Sequence, residues 1–527
     1  MTYTGNRFFL LYIVSIFYFS KSFAVTYYVS PTGSSSATGT VQAPLTFTAA
    51  IAKSLTAGDS IIVRGGTYSF SSRQNISKSG TSADFLCIVN YPGEVPVLDF
   101  RTQAYNSNNQ GVLLSGNYVH IKGLIIQGAG DNGMQVTGSN CKIENCIFRW
   151  NCDSGLQMKT GSNNLILDCD SYENFDYQTG GTSSPNYGGN ADGFADKQYT
   201  NTGTNIYKGC RAWKNSDDGW DSYEKIGNTE YDGCWCFSNG PTSYDMTENI
   251  RFKTDSATWF YKFKNTSERY VITNYGNGNG FKFGGNYTAN IITAKNCVSV
   301  ENKVKGFDQN NNNGAMILYN CTSYKNQTNY GFSNAGYGTL LIKNSVSLSG
   351  VSSNAFKTTS YVQSNNSWSS GFSCTVADFV SLETSQLLSN RKNDGVLPEI
   401  TLLHLAPTSA LIDKGVDVGL MYVGAAPDLG AFEYNPVSAV KTVYSKGDVR
   451  IFPNPVNETS ALYISTESNT EVTIQLIDVS GRIVKRFNAC LTTGENIVAL
   501  NAGELLRGNY VYSVSGKSFY LIGKFVK

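Results

Sequence analysis

The sequence predicts an all-β protein: a right-handed parallel β-helix with an N-terminal capping helix, followed by a small C-terminal β-sandwich. Three observations carry that prediction: a repeat of 23 to 24 residues marked by cysteine, an asparagine at a constant offset inside each repeat, and a change of character after residue 447. Repeats of this length build solenoids, because one coil cannot bury its own apolar face and neighbours must stack on it.

Composition narrows the function before any motif is read. The 527 residues carry 41 Lys and Arg against 40 Asp and Glu, a net charge of +1, so there is no electrostatic footprint for nucleic acid or an anionic membrane. Only two histidines occur, His120 and His404, which excludes chemistry built on a His triad or a multi-His metal site. Of the 52 asparagines, 36 fall within residues 101–350.

Residues 1–24 carry Arg7, an apolar run from Phe8 to Phe19 and the small-x-small sequence Ser22-Phe23-Ala24. That is a signal-peptide pattern, too short for the roughly 20 apolar residues of a membrane span. No other stretch is long and apolar enough to span, so the mature chain is expected to be secreted, soluble and monomeric. Residues 25–435 are then assigned to the β-helix. Phe47, Ile51 and Leu55 recur at helical spacing within Leu45 to Leu55 and would cap the open first coil, since an uncovered strand edge invites aggregation. Leu402 to Glu433 is expected to close the other end.

The repeat is set by Cys146, Cys169, Cys210, Cys234, Cys297 and Cys321, which are separated by 23, 41, 24, 63 and 24 residues. Asn151, Asn174, Asn215, Asn239, Asn302 and Asn326 each follow one of them by five residues. A glycine and an apolar or aromatic residue come next, in the pairs Gly155-Leu156, Gly193-Phe194, Gly219-Trp220, Gly280-Phe281, Gly306-Phe307 and Gly331-Phe332. Equivalent residues then lie about 4.8 Å apart along the axis, and stacked asparagines hydrogen-bond from coil to coil, satisfying turn backbone that would otherwise be buried unpaired. The cysteines read as small interior residues, with few disulfides expected.

With the coil glycine as position zero, Asp192 and Asp218 both fall at −1, Asp217 at −2 and Asp221 at +2. Asp-Gly alone is an ordinary turn former, but four carboxylates in register on one flank need a cation, and six to eight oxygen ligands are what calcium takes. Lys282 also falls at +2, one motif later. A partly desolvated lysine beside a divalent cation suits removal of a proton alpha to a carboxylate, the metal neutralising the acid and stabilising the enolate-like intermediate.

Three segments, Asn190 to Lys197 (NADGFADK), Asn215 to Asp221 (NSDDGWD) and Gly278 to Gly285 (GNGFKFGG), closely resemble motifs of the family 9 polysaccharide lyases, the pectate lyase and rhamnogalacturonan lyase group. The resemblance runs from Tyr27 to Glu433. It implies that Asp192, Asp217, Asp218 and Asp221 bind calcium and that Lys282 is the Brønsted base of an anti β-elimination on a pectic polymer, either polygalacturonate or rhamnogalacturonan. Asn279, Lys197 and Arg251 are candidate sugar contacts. One departure is the enlarged, basic and aromatic segment Tyr244 to Tyr275, which holds Arg251, Lys253 and Trp259. It reads as an extra coil with a long loop, and Lys253 is the fallback base. Two rivals stand beside the lyase. A polygalacturonase-type hydrolase shares the fold and uses paired Asp, but it carries a Gly-His-Gly motif missing here and leaves Lys282 without a role. A non-catalytic, calcium-stabilised glycan-binding β-helix explains the carboxylates and leaves the lysine unexplained.

Residues 436–447 read as a linker, and residues 448–527 alternate apolar and polar positions in short strands. The segments Val449 to Val456 (VRIFPNPV), Asp478 to Arg482 (DVSGR) and Gly508-Asn509-Tyr510, with the terminal Lys524-Phe525-Val526-Lys527, resemble the C-terminal sorting domain of type IX secretion, which implies the secretion machinery as a partner. A carbohydrate-binding module is the alternative for this unit.

Overall fold

The chain turns a corner wherever a residue can take a left-handed conformation. The residue before each repeat cysteine does so: Asn145 (φ 52°), Asp168 (52°), Gly209 (62°), Gly233 (63°), Asn296 (53°) and Asn320 (50°), drawn from the types that tolerate this region best. A second bend precedes each repeat asparagine, at Trp150, Glu173, Lys214, Ser238, Glu301 and Lys325. Between the two bends lies a three-residue strand, such as Ile147–Arg149 or Arg211–Trp213.

These corners are repeated around a right-handed parallel β-helix. A computed structural model describes residues 24–177, 186–200, 202–245, 249–251, 264–266, 269–435, 449–466, 468–478, 482–516 and 520–527. The signal-peptide pattern at residues 1–23 and the linker at 436–447 therefore lie outside the described residues, as do Lys253 and Trp259. Three parallel sheets of 12, 10 and 10 strands run the length of the solenoid. One ten-stranded sheet, here the site sheet, contains Phe194–Asp196, Trp220–Asp221 and Phe281–Lys282. The other, the buttress sheet, contains Arg211–Trp213, Trp235–Phe237 and Val298–Val300.

The asparagines form a continuous ladder. Each Nδ2 donates to the Oδ1 of the next coil, from Asn151 to Asn174 (2.9 Å), Asn174 to Asn215 (2.8 Å), Asn215 to Asn239 (3.0 Å), Asn239 to Asn302 (2.9 Å) and Asn302 to Asn326 (3.0 Å). The same Oδ1 of Asn239 accepts from the main-chain N–H of Asn215 at 3.0 Å. Asn239→Ala therefore strands two buried donors at once, and at about 1–3 kcal/mol each it should lower stability by about 2–6 kcal/mol, read as a lower thermal midpoint. An unchanged midpoint would mean the ladder is dispensable.

Inside the coils the aromatics stack in step: Phe194 on Trp220 (5.0 Å), Trp220 on Phe281 (4.8 Å), Phe281 on Phe307 (5.0 Å) and Phe307 on Tyr330 (5.2 Å). The coil glycines are required by this closeness. A Cβ on Gly219 would lie 2.0 Å from Cys236 Sγ and 2.8 Å from the Gly280 carbonyl. All twelve cysteines are free, and the six repeat cysteines are buried in the core.

Four expectations need correction. The sixth glycine-aromatic pair is out of step, since Tyr330, not Phe332, stacks on Phe307. Asn329 takes the next place in the ladder, accepting from Asn326 Nδ2 at 3.1 Å, which shortens that turn. The enlarged segment is not an extra coil: Trp220 pairs directly with Phe281, while Ser243–Asp245, Lys264–Thr266 and Arg269–Thr273 form a separate antiparallel sheet. The capping helix is only Phe47–Ile51, with Thr46 Oγ1 accepting from Ala49 N at its start. Finally, Leu402, Leu403, Leu405, Leu411 and Leu429 do not close the far end but cover the buttress sheet, packing with Trp213, Trp235, Phe237, Val298 and Val300. The last coil is instead covered by Trp368, which stacks on Phe356 and lies tilted against Tyr330.

By contact the chain divides into two compact units, Met1–Tyr434 and Asn435–Lys527. The second is a sandwich of a three-stranded and a four-stranded antiparallel sheet around Leu462, Ile464, Val472, Ile474, Leu476, Val514 and Phe525.

Candidate functional site

Strand alternation decides what the site sheet shows to solvent. Trp220 and Phe281 point inward, so Asp221 and Lys282, one residue on, point outward, and they are direct neighbours in the register, Asp221↔Lys282. The tight turns before the glycines bring Asp192 and Asp218 beside them. Oxygens of Asp192, Asp218 and Asp221 all lie within 4.8 Å of one another. Asp217 adjoins this group and is held by the main-chain N–H of Asn277, which donates to its Oδ1 at 2.6 Å.

Two ammonium groups face the carboxylates. Lys282 Nζ lies 3.0 Å from Asp218 Oδ2 and 3.2 Å from Asp221 Oδ1. Lys197 Nζ lies 3.3 Å from Asp192 Oδ2 and 2.9 Å from Asp221 Oδ2. Lys197 is thus a member of the cluster rather than a solvated surface lysine, and Asn279 is a brace, its main-chain N–H and Nδ2 donating to Asp218 Oδ1 at 2.7 and 2.9 Å. Arg251 is not brought to this group: its buried guanidinium donates to the main-chain carbonyl of Arg101 at 2.8 Å.

Burial dominates the electrostatics. It pushes the carboxyls of Asp192 and Asp217 well above the usual range, helped for Asp217 by the charges of Asp218 and Asp192. Burial also raises Asp218, against the opposing pull of Lys282. At Asp221 burial is overcome by Lys197 and Lys282, which hold that carboxyl below its ordinary value. For Lys282 burial lowers the ammonium, but Asp218, Asp221, Asp217 and Asp192 together outweigh it and hold the group well above its usual range.

Two ammonium groups cannot neutralise four ionised carboxylates, so the cluster could hold a divalent cation. The donor set fits a hard ion, being entirely carboxylate oxygen, and the buried Asp218 Oδ2 accepts no aligned hydrogen bond although Lys282 is close. Two contributors escape a motif-level reading. Ser154 Oγ donates to Asp192 Oδ2 at 3.2 Å; it occupies the −1 position one coil before Asp192, so extending that row backwards finds it. Tyr223 donates its main-chain N–H to Asp221 Oδ1 at 3.0 Å and sets its ring 5.7 Å from Lys282 Nζ, a contact that no repeat position encodes.

Comparison with known proteins bears on this arrangement. Residues 27–354 match the model of a family described as Pel9A-like, right-handed β-helix region, and residues 450–527 match that of a secretion system C-terminal sorting domain. Pectate lyase L of Dickeya chrysanthemi is 36% identical over 420 residues, spanning 78% of this chain and 90% of that protein. The crystal structure of pectate lyase Pel9A is similar with a TM-score of 0.66 at 34% identity, covering 79% of this chain and 97% of that one. A rhamnogalacturonan lyase shares the fold at 23% identity and a TM-score of 0.60, over 73% of this chain and 97% of that one.

Proposed function

The chain belongs to the Pel9A-like right-handed β-helix family and is a polysaccharide lyase, and from that premise we propose that it cleaves galacturonate-containing pectic polymers by calcium-dependent anti β-elimination. Its sorting domain marks it as secreted or cell-surface, where such polymers are met. The observation that carries the reading is Lys282, outward on the site sheet and 3.0 and 3.2 Å from two carboxylates of the acidic cluster.

In this mechanism Lys282 Nζ takes the C5 proton of the uronate, the C5 electron pair forms the C4=C5 double bond on the new non-reducing end, and the C4–O4 bond breaks with its electrons on O4, which takes a proton from solvent to become the hydroxyl of the new reducing end. Asp192, Asp217, Asp218 and Asp221 would hold the calcium, which when bound neutralises the uronate carboxylate and so acidifies C5–H. Two influences act on Lys282, the carboxylates raising its pKa and burial lowering it. Neutralising the carboxylates leaves burial in control, which moves the amine toward its free-base form. Asn279 fixes the Asp218 carboxylate, and Lys197 ties Asp192 to Asp221, so the ligand set is oriented before substrate arrives. Arg251, its Nη1 on the carbonyls of Arg101 and Gly128 and its Nη2 on the Tyr177 hydroxyl, serves the fold rather than a sugar.

The test is to incubate the full chain with polygalacturonate and with rhamnogalacturonan, with Ca²⁺ or with chelator, and follow the ultraviolet absorbance of the 4,5-unsaturated product. Absorbance that appears with Ca²⁺ and vanishes with chelator is expected, and the polymer that releases it names the substrate. Reducing ends without absorbance would mean a hydrolase. No release from either polymer would favour a glycan-binding protein.

A further inference from the structure

Strands Phe281–Lys282, Lys305–Asp308 and Thr328–Phe332 are consecutive in the site sheet. The turn after the first carries Tyr287, and the turn after the third carries Tyr337. These turns are two coils, roughly 10 Å, apart along the axis, yet the ring centroids are only 4.8 Å apart, with the rings inclined at 53°. The two rings therefore lean together across the turn between them. Neither is buried: Tyr287 is 51% exposed and Tyr337 41%.

The backbone under Tyr287 breaks a local rule. Thr288 donates its main-chain N–H to the Gly285 carbonyl at 3.2 Å, closing a four-residue turn whose central residues, Asn286 and Tyr287, are both left-handed (φ 51° and 60°). Asn-Gly is the usual pair in such a turn, so a tyrosine stands where glycine costs least. Its ring stays half exposed and gains the fold little packing in return, and local rules are broken in this way chiefly at functional positions. Tyr337 is fixed from behind, its main-chain carbonyl accepting from Gln309 Nε2 at 2.8 Å.

The pair is continuous with the lysine site. Asn286 Nδ2 donates to Glu224 Oε1 at 2.8 Å, which ties the Tyr287 turn to the residue after Tyr223. The Tyr223 ring lies 5.7 Å from Lys282 Nζ, and it covers Gly285 so closely that a Cβ there would meet its Cδ2 at 2.2 Å. Tyr223, Tyr287 and Tyr337 thus line one flank of the site sheet, from the reacting lysine toward the later coils. The turn between the two leaning rings carries the exposed Asn313, an amide of the kind that pairs with sugar hydroxyls.

We propose that Tyr287 and Tyr337 form a stacking platform for one sugar ring of the bound polymer, a subsite on the C-terminal side of Lys282. A pyranose is polar at its rim and presents C–H bonds on its face, and an exposed aromatic ring removes that face from water. Galacturonate and rhamnose rings share this chemistry. The platform rests on the reading of the groove as a site for pectic polymer, but not on calcium or on elimination by Lys282.

Retention of the full chain in native gels cast with polygalacturonate or with rhamnogalacturonan tests it, in a Lys282→Ala background so that the polymer survives. Tyr287→Asn and Tyr337→Ala should each weaken binding about tenfold, the size of one aromatic contact at a binding hot spot, and Tyr287→Phe, which keeps the ring, should bind as before. The thermal midpoint of Tyr287→Asn should hold or rise, because asparagine suits the left-handed turn. Weaker binding to only one of the two polymers supports the platform and names the backbone that is stacked. Unchanged affinity in both ring-deletion variants overturns it, as does a lack of retention by either polymer before the rings are removed. A midpoint that falls in Tyr287→Asn also overturns it, marking a ring that packs for the fold, and so does a dimer in sedimentation that Tyr287→Asn splits, marking a contact between copies. Ring-dependent retention by a wild type that forms no unsaturated product would keep the platform and remove the elimination.

Discussion

Lys282→Ala lowers kcat by about 10²–10⁴-fold, the contribution of a positioned base, while calcium binding survives. Both halves of that expectation come from one geometry. Lys282 Nζ contacts Asp218 and Asp221, so its removal deletes the base and at the same time takes a competing positive charge away from the ligand set. The variant should therefore bind calcium as well as the wild type or better, which separates loss of the base from loss of the site. Lys282→Arg sharpens the test, because a guanidinium keeps the positive charge and the ion pairs but cannot act as a base near neutral pH. It should be as inactive as the alanine variant. Wild-type turnover in either protein would remove Lys282 from the chemistry.

Trp220→Ala should cost about 3–5 kcal/mol, the range for truncating a large buried aromatic. Trp220 is fully buried and sandwiched between Phe194 at 5.0 Å and Phe281 at 4.8 Å. Its strand is only two residues long, Trp220–Asp221, so the indole is the one inward anchor of the segment that carries Asp218 and Asp221. A lower unfolding midpoint should thus be accompanied by weaker calcium binding. Trp220→Phe, which matches the neighbouring rungs, should retain most of both. A midpoint unchanged in the alanine variant would mean that the stack does not fix the strand.

The coil register was legible because each of its features answers a local backbone requirement. A bend in the left-handed region selects Asn, Asp or Gly before the cysteine, the ladder selects Asn, and the close approach of adjacent coils selects Gly, so the same types recur at the same offsets. The positions of Asp192, Asp218, Asp221 and Lys282 followed from that register. What was illegible depends on contacts between parts far apart in sequence. Leu402, Leu405, Leu411 and Leu429 are as apolar for covering a lateral sheet as for plugging an end, and nothing local distinguishes the two. Segment 244–275 was misread for a related reason: its short alternating strands are compatible with either a parallel coil or an antiparallel hairpin, and only the direct bond from Asn239 to Asn302 excludes the coil. Lys197 reaches Asp221 across coils through a long flexible side chain, a reach that no spacing reports.

The two long excursions leave the coils at one corner, between Asn174 and Gly193 and between Asn239 and Gly280. The ladder passes beneath both undisturbed, at 2.8 Å and 2.9 Å, close to the 3.0 Å of Asn215 to Asn239, where only a short turn intervenes. Lengthening a loop is thermodynamically cheap, about 0.6 kcal/mol per doubling, and here it leaves the solenoid's hydrogen bonding intact. That corner therefore tolerates long insertions, since neither excursion breaks the asparagine ladder that ties one coil to the next.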